Sequence, residues 1–153
     1  METLEPIIAK HPFFEGLKGE YRKILTGCAK NVLYEAGEYI FRENQPADEF
    51  YMIRHGSVAV EVFVPGREPI IVQTLKEGDM LGWSSQVPPY KWRFDARAMD
   101  LVRAVAFDGV CFRGKCDENP ALGYEMLKRF STIMAQRLQA TRLQILDVYG
   151  LNK

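Results

Sequence analysis

The stretch Gly82-Trp83-Ser84-Ser85, followed after a proline-rich turn by Lys91-Trp92-Arg93, has the residue types of an anion cradle. A glycine lets backbone approach a ligand closely, and the N-terminus of a helical turn presents N–H groups. The hydroxyls of Ser84 and Ser85 add donors, while the Arg93 guanidinium offers a planar fork to anionic oxygens. The same residues have a plainer reading as a serine-rich helix cap, with Arg93 paired to Asp95 at the surface. Trp83 and Trp92 supply aromatic bulk that either stacks on a planar ligand or fills the space a ligand would take.

Other site chemistry is poorly supplied. A metal-dependent barrel enzyme needs a cluster of imidazole and carboxylate ligands, yet the only histidines are His11 and His55, one before the strand-rich region and one in a hairpin turn. Neither a metal site nor an enzymatic centre is expected. The three cysteines, Cys28, Cys111 and Cys116, are an odd number in a chain without an apolar leader, so secretion and a disulfide framework are both unexpected. Cys28 reads as a buried small residue, Cys111 as a core residue near the strand-to-helix junction and Cys116 as a turn residue. A reducing cytoplasm is the expected location. The 20 basic and 20 acidic residues give no overall field toward nucleic acid or lipid, and no apolar run has the length of a membrane span.

The elements that must position the candidate site fall into three parts of one domain, residues 1–153. Residues 1–31 carry apolar positions Ile7, Ile8, Phe13, Phe14, Leu17, Ile24 and Leu25, broken by Pro12 and Gly16, as short helices do. Residues 32–107 alternate strand-like runs such as Phe50-Tyr51-Met52-Ile53 and Val102-Arg103-Ala104-Val105 with turn chemistry such as His55-Gly56-Ser57, the pattern of a sandwich or barrel. Within them, 78–98 holds the candidate site. Residues 108–153 contain a long helix that Asn119 can cap and Pro120 can open, running to Tyr149-Gly150. Its seam Leu127, Phe130, Met134, Leu138, Thr141, Ile145 and Val148 can meet either the barrel or a second copy of itself. The helix is longer than a small barrel is wide, which favours a homodimer. Arg129, Arg137 and Arg142 read as a solvated face.

The pattern Phe13-Phe14-x-x-Leu17, then Gly37-Glu38-x-Ile40-Phe41-Arg42-Glu43-Asn44-x-Pro46-Ala47-Asp48-x-Phe50-Tyr51-Met52-Ile53-x-x-Gly56-x-Val58-x-Val60, resembles the opening half of a Crp/Fnr-type cyclic nucleotide-binding domain. The resemblance implies a mainly β fold with flanking helices: a double-stranded β-helix, or jelly-roll, barrel with N-terminal helices and a long C-terminal helix. It also implies that residues 78–98 form a phosphate-binding cassette and that Thr141 offers a hydroxyl to a bound base. Two departures stand out. Where the family has a Glu that accepts from the ribose 2′-hydroxyl, this chain has Trp83, whose indole has a donor and no such acceptor. That loss costs about 1.5–3 kcal/mol. The family Arg falls on Arg93 when counted forward from Gly82 and on Trp92 when counted back from Ala98.

The expected protein is therefore a non-catalytic regulatory module. Gly82, Ser84, Ser85 and Arg93 would hold a small anion, a cyclic nucleotide being one option, with Trp83, Trp92 and Thr141 against its planar part. The alternative is a degenerate domain with a self-filled pocket that acts as a protein-interaction module. With no recognition helix after the long helix, direct DNA reading is not expected, nor is membrane insertion.

Overall fold

The computed structural model describes residues 4–150; Met1–Thr3 and Leu151–Lys153, which the domain range above includes, lie outside the described residues. Eight strands form two four-stranded antiparallel sheets. The strands are β1 (Ala29–Tyr34), β2 (Tyr39–Phe41), β3 (Glu49–His55), β4 (Val58–Val62), β5 (Ile70–Leu75), β6 (Met80–Leu81), β7 (Asp95–Ala98) and β8 (Val102–Asp108). One sheet has the order β1-β8-β3-β6 and the other β2-β7-β4-β5. Helices α1 (Glu5–Lys10) and α2 (Gly19–Thr26) precede the sheets, and α3 (Gly109–Glu118) and α4 (Pro120–Val148) follow them. The jelly-roll fold class expected from the sequence is what the chain adopts.

Strands β3 and β8 read as continuous apolar runs because both of their faces are covered. Period-two alternation sends Phe50, Met52, Val105 and Phe107 toward the helices, where they pack with Phe14, Phe112, Leu122, Met126 and Phe130. It sends Tyr51, Ile53, Ala104 and Ala106 between the sheets, with Val58, Ala96 and Ala98. Alanines at four of those inward positions leave room inside the barrel. Gly56 turns β3 into β4 at φ +92°, and a Cβ there would lie 2.3 Å from the Leu101 carbonyl oxygen, so both conformation and space exclude a side chain. Asn44 takes the left-handed conformation at φ 70°, which asparagine tolerates better than most residues with a side chain.

The cysteine expectations require correction. Cys28 is bonded to Cys111, with S–S 2.08 Å and Cα atoms 5.8 Å apart, and Cys116 is the free thiol. Cys116 lies within α3 rather than in a turn. An odd count excludes full pairing, not one pair. Asp108 donates its N–H to the Cys28 carbonyl at 2.8 Å and, as the N-cap of α3, accepts from the Cys111 N–H at 2.9 Å. One capped turn thus carries Cys111 back over the start of β1.

Arg129 and Arg137 also depart from the solvated face read in the sequence. Arg129 pairs with Glu125 at 3.2 Å and donates to the Phe13 carbonyl, fastening α4 to the N-terminal helices. Arg137 stacks on Trp83 and donates to the Met80 carbonyl. Arg142 alone of the three is fully on the solvent side.

His11 joins α1 to the Pro12–Phe14 turn. Its Nδ1 accepts from the Phe13 N–H at 3.2 Å, while Nε2 is buried without a hydrogen-bond partner among the described residues. Burial holds its pKa at about 4, below the ordinary 6.5, against a weaker opposing pull from Asp79. The folded chain therefore keeps His11 neutral where the unfolded chain would protonate it. Its contribution is complete above pH 6.5 and is lost as the pH falls toward 4. With allowance for solvent screening, roughly 2 kcal/mol should be lost across that window, read as the urea midpoint against pH. The His11→Asn variant keeps an acceptor for the Phe13 N–H and should flatten that segment; an unchanged pH profile would show that His11 does not carry it.

Candidate functional site

The candidate site begins where β6 ends. Gly82 takes φ +98° as the cap of a 3-10 helix, Trp83–Gln86, and its left-handed turn swings Trp83 and Ser84 toward α4. The next segment returns to the barrel by pairing Asn44 and Gln45 with Trp92: the Asn44 N–H donates to the Trp92 carbonyl at 2.9 Å, and the Trp92 N–H to the Gln45 carbonyl at 3.1 Å. These two bonds fix which side chain points inward, and it is Trp92. Its indole is 4% exposed and lies parallel to the Phe41 ring, with centroids 3.7 Å apart and planes 7° apart. The indole also covers Gly82, where a Cβ would approach it to 3.0 Å.

Arg93 is turned the other way and is exposed at the rim. It does not pair with Asp95 either. Asp95 is buried, accepting from the Glu43 N–H at 2.7 Å and facing the Arg42 guanidinium at 3.4 Å. The two sequence counts for the cationic position are thus resolved by geometry: the inward position holds an indole, and the guanidinium beside it sits at the mouth.

A cavity of about 310 Å³ lies between this segment and α4. Gly82, Trp83, Ser84, Trp92, Arg93 and Thr141 line it, so six of the seven sequence-predicted residues come together. Ser85 does not. It is fully buried on the opposite side, donating its hydroxyl to the Gly82 carbonyl at 3.1 Å and packing against Gly109 at the start of α3. Its role is to seat the cassette on α3, which Arg113 reinforces by donating to the Ser85 carbonyl. The Thr141 hydroxyl donates to the Arg137 carbonyl at 2.9 Å, within its own helix.

Sequence reading missed Arg137 as a lining residue. Its guanidinium carbon lies 4.3 Å from the centroid of the Trp83 ring, and burial, partly opposed by Asp79, lowers its pKa to about 10, leaving it charged at neutral pH. No carboxylate lies within 4.0 Å of it among the described residues. The signal was available in part: Arg137 is one turn before Thr141, so any helix face carrying Thr141 carries Arg137 as well. Apart from Gln73, the rest of the wall is apolar, including Phe94, Met134 and Leu138.

The arrangement offers two guanidinium groups and no carboxylate around an aromatic space. It can bind and orient; it presents no paired acid and base and no nucleophile with a base beside it.

Residues 31–119 match the family described as the cyclic nucleotide-binding domain. Over 145 residues the chain is 25% identical to the CRP-like cAMP-activated global transcriptional regulator of Mycobacterium tuberculosis, covering 95% of this chain and 63% of that protein. It is 30% identical over 112 residues to the cAMP-dependent protein kinase regulatory subunit of Dictyostelium discoideum, covering 73% of this chain and 34% of that one. The chain thus spans less than two thirds of either regulator. Among solved structures it is similar to a candidate cyclic nucleotide-binding protein from Geobacter metallireducens GS-15, at TM-score 0.79 and 26% identity, covering 90% of this chain and 99% of that one.

Proposed function

This chain belongs to the cyclic nucleotide-binding domain family, and on that premise we propose that it is a non-catalytic sensor whose pocket takes a small anionic ligand and reports it through α4. The observation that carries this reading is the open cavity between cassette and α4, with two guanidinium groups and no carboxylate in its wall. Anion binding there would join Trp83 and Ser84 to Arg137 and Thr141, tying the cassette to the middle of α4. A ligand that prefers one position of that helix shifts the population toward it by its difference in affinity.

Cyclic nucleotides are disfavoured in their usual pose. The niche over Gly82 is occupied by the Trp92 indole, the inward position of the cassette strand holds that indole in place of a guanidinium, and Trp83 supplies no acceptor for a ribose hydroxyl. Thermal-shift titration with cAMP, cGMP, AMP and a panel of small organic anions tests the reading. An anion at 100 times its dissociation constant should add about 2.7 kcal/mol, with cyclic nucleotides adding less. Silence across the panel would remove the sensor reading.

The distal half of α4 supplies the output. The helix is 29 residues, about 43 Å long, and beyond Arg137 it exposes Leu138, Leu143, Ile145 and Val148, with Tyr149 exposed at its cap. The seam read in the sequence divides here: Phe130 and Met134 face the barrel, whereas Leu138, at the cavity edge, Ile145 and Val148 are exposed among the described residues. A second copy of this chain, joined helix to helix, would bury them. Sedimentation equilibrium should give twice the chain mass, and the Ile145→Asp/Val148→Asp variant should give the monomer; a monomeric unaltered chain would sink the dimer.

The degenerate-module reading keeps one specific observation in its favour, the Trp92 indole filling the Gly82 niche. It predicts that the Trp83→Glu/Trp92→Arg variant loses stability and gains no affinity for cAMP. A merely altered pocket would gain it.

A further inference from the structure

We infer that the ligand of this pocket is a planar aromatic carboxylate, its ring system against Trp83, Trp92 and Phe94 and its carboxylate on the Arg137 guanidinium. The inference rests on the sensor reading above and names the chemical class that the site would select.

Three features of the cavity lead there. Its volume, about 310 Å³, is at the lower end of small-molecule sites, suited to one or two fused rings. Its walls present two indoles and two phenyl rings, Phe41 and Phe94, surfaces that reward a flat, polarisable body stacked or set edge-on against them. Its charge is wholly positive, from Arg137 inside and Arg93 at the mouth.

The form of the anion follows from what the cassette has given up. A tetrahedral phosphate is held by converging backbone N–H groups with a cation behind them. Here the approach over Gly82 is closed by the Trp92 indole, and the Ser85 hydroxyl is spent on the Gly82 carbonyl on the far side. What remains is a guanidinium whose plane is supported by stacking on Trp83 and by its bond to the Met80 carbonyl. Its other N–H groups have no carboxylate partner within 4.0 Å among the described residues. A flat two-oxygen acceptor matches that fork. Burial pulls the Arg137 pKa down to about 10 against a weaker opposing pull from Asp79, so a carboxylate bound directly on the guanidinium would further offset the cost of holding that cation in a partly dry site.

Isothermal titration of the full chain with 2-naphthoate, the neutral 2-naphthamide of nearly the same shape, and cAMP tests this. The expected result is binding of 2-naphthoate at least tenfold tighter than 2-naphthamide. Arg137→Gln should weaken 2-naphthoate by about 10- to 100-fold and leave 2-naphthamide nearly unchanged, with Arg137→Lys between. If Arg137→Gln does not fold, the acid-against-amide comparison on the unaltered chain still decides. Equal binding of acid and amide would overturn the carboxylate while leaving a ligand pocket in place. Binding of cAMP or another anion with no response to 2-naphthoate would overturn the ligand class and keep the sensor reading. No response to any probe would overturn both.

Discussion

Reduction of the Cys28–Cys111 bond lowers the unfolding free energy by about 4.5 kcal/mol. The bond joins residues 83 positions apart, and a closed loop of that size restricts the unfolded ensemble far more than the folded one. In a chain of 153 residues such a loss should reduce the melting temperature by on the order of 10 °C or more. Denaturant melts with and without dithiothreitol give the magnitude, and Cys28→Ser should reproduce the reduced value without reductant. A chemical count gives an independent check. In denaturant without reductant only Cys116 should take an alkylating label, whereas all three cysteines should do so after reduction. Three labels without reductant would mean the bond is absent. In the folded chain Cys116 should react slowly, because burial raises its thiol pKa to about 11. The bond also has a local consequence. It pins the first turn of α3 to the start of β1, and that same turn abuts Ser85 and the Asp48 carbonyl. Reduction should loosen the seat of the cassette, visible as faster amide exchange at Ser85 and Gln86.

Trp92→Ala should cost about 3–5 kcal/mol, the range for emptying the site of a buried aromatic. The indole is 4% exposed, stacked on Phe41 and pressed against Gly82, so its removal leaves a void that the surrounding hydrogen-bonded strands cannot close. Trp83→Ala should cost only about 1–2 kcal/mol. That indole is half-buried, and its main fixed partner is the Arg137 guanidinium. Urea unfolding of both variants at one pH compares them. Equal losses would mean that Trp92 is not the filler its geometry indicates. The contrast has a functional reading as well. Trp92 is a wall of the cavity, built into the barrel, whereas Trp83 is a half-buried side chain on a short turn, set against the Arg137 guanidinium of α4.

Much of the architecture was legible in the residue pattern, for physical reasons that differ by element. The long helix was readable at its start because Asn119 and Pro120 act locally: the Asn119 side chain accepts from the Leu122 N–H at 3.2 Å, and the helix begins at Pro120. Strands β3 and β8 were readable because coverage on both faces makes them continuously apolar. Strands β6 and β7 carried little signal of their own, since two and four residues cannot show a period. They exist because β3 and β4 offer them ladder partners.

The candidate site divides in the same way. Its residue types, its place after Gly82 and the missing Glu were visible in the chain, because they depend on which residues are near one another in sequence. Which side chain faces inward was not. A shift of one residue exchanges the two faces of an extended segment, and nothing within Lys91-Trp92-Arg93 chooses between them. The choice is made by hydrogen bonds to Asn44 and Gln45, almost fifty residues earlier, and by the stack on Phe41. Arg137 entered the cavity wall, and Cys28 met Cys111, for the same reason. Sequence by itself determined the local elements, the turn chemistry and the family of fold, all of which rest on short-range preferences. Tertiary structure decided inward from outward, paired from free and open from filled, because those outcomes depend on neighbours that only the closed barrel brings together.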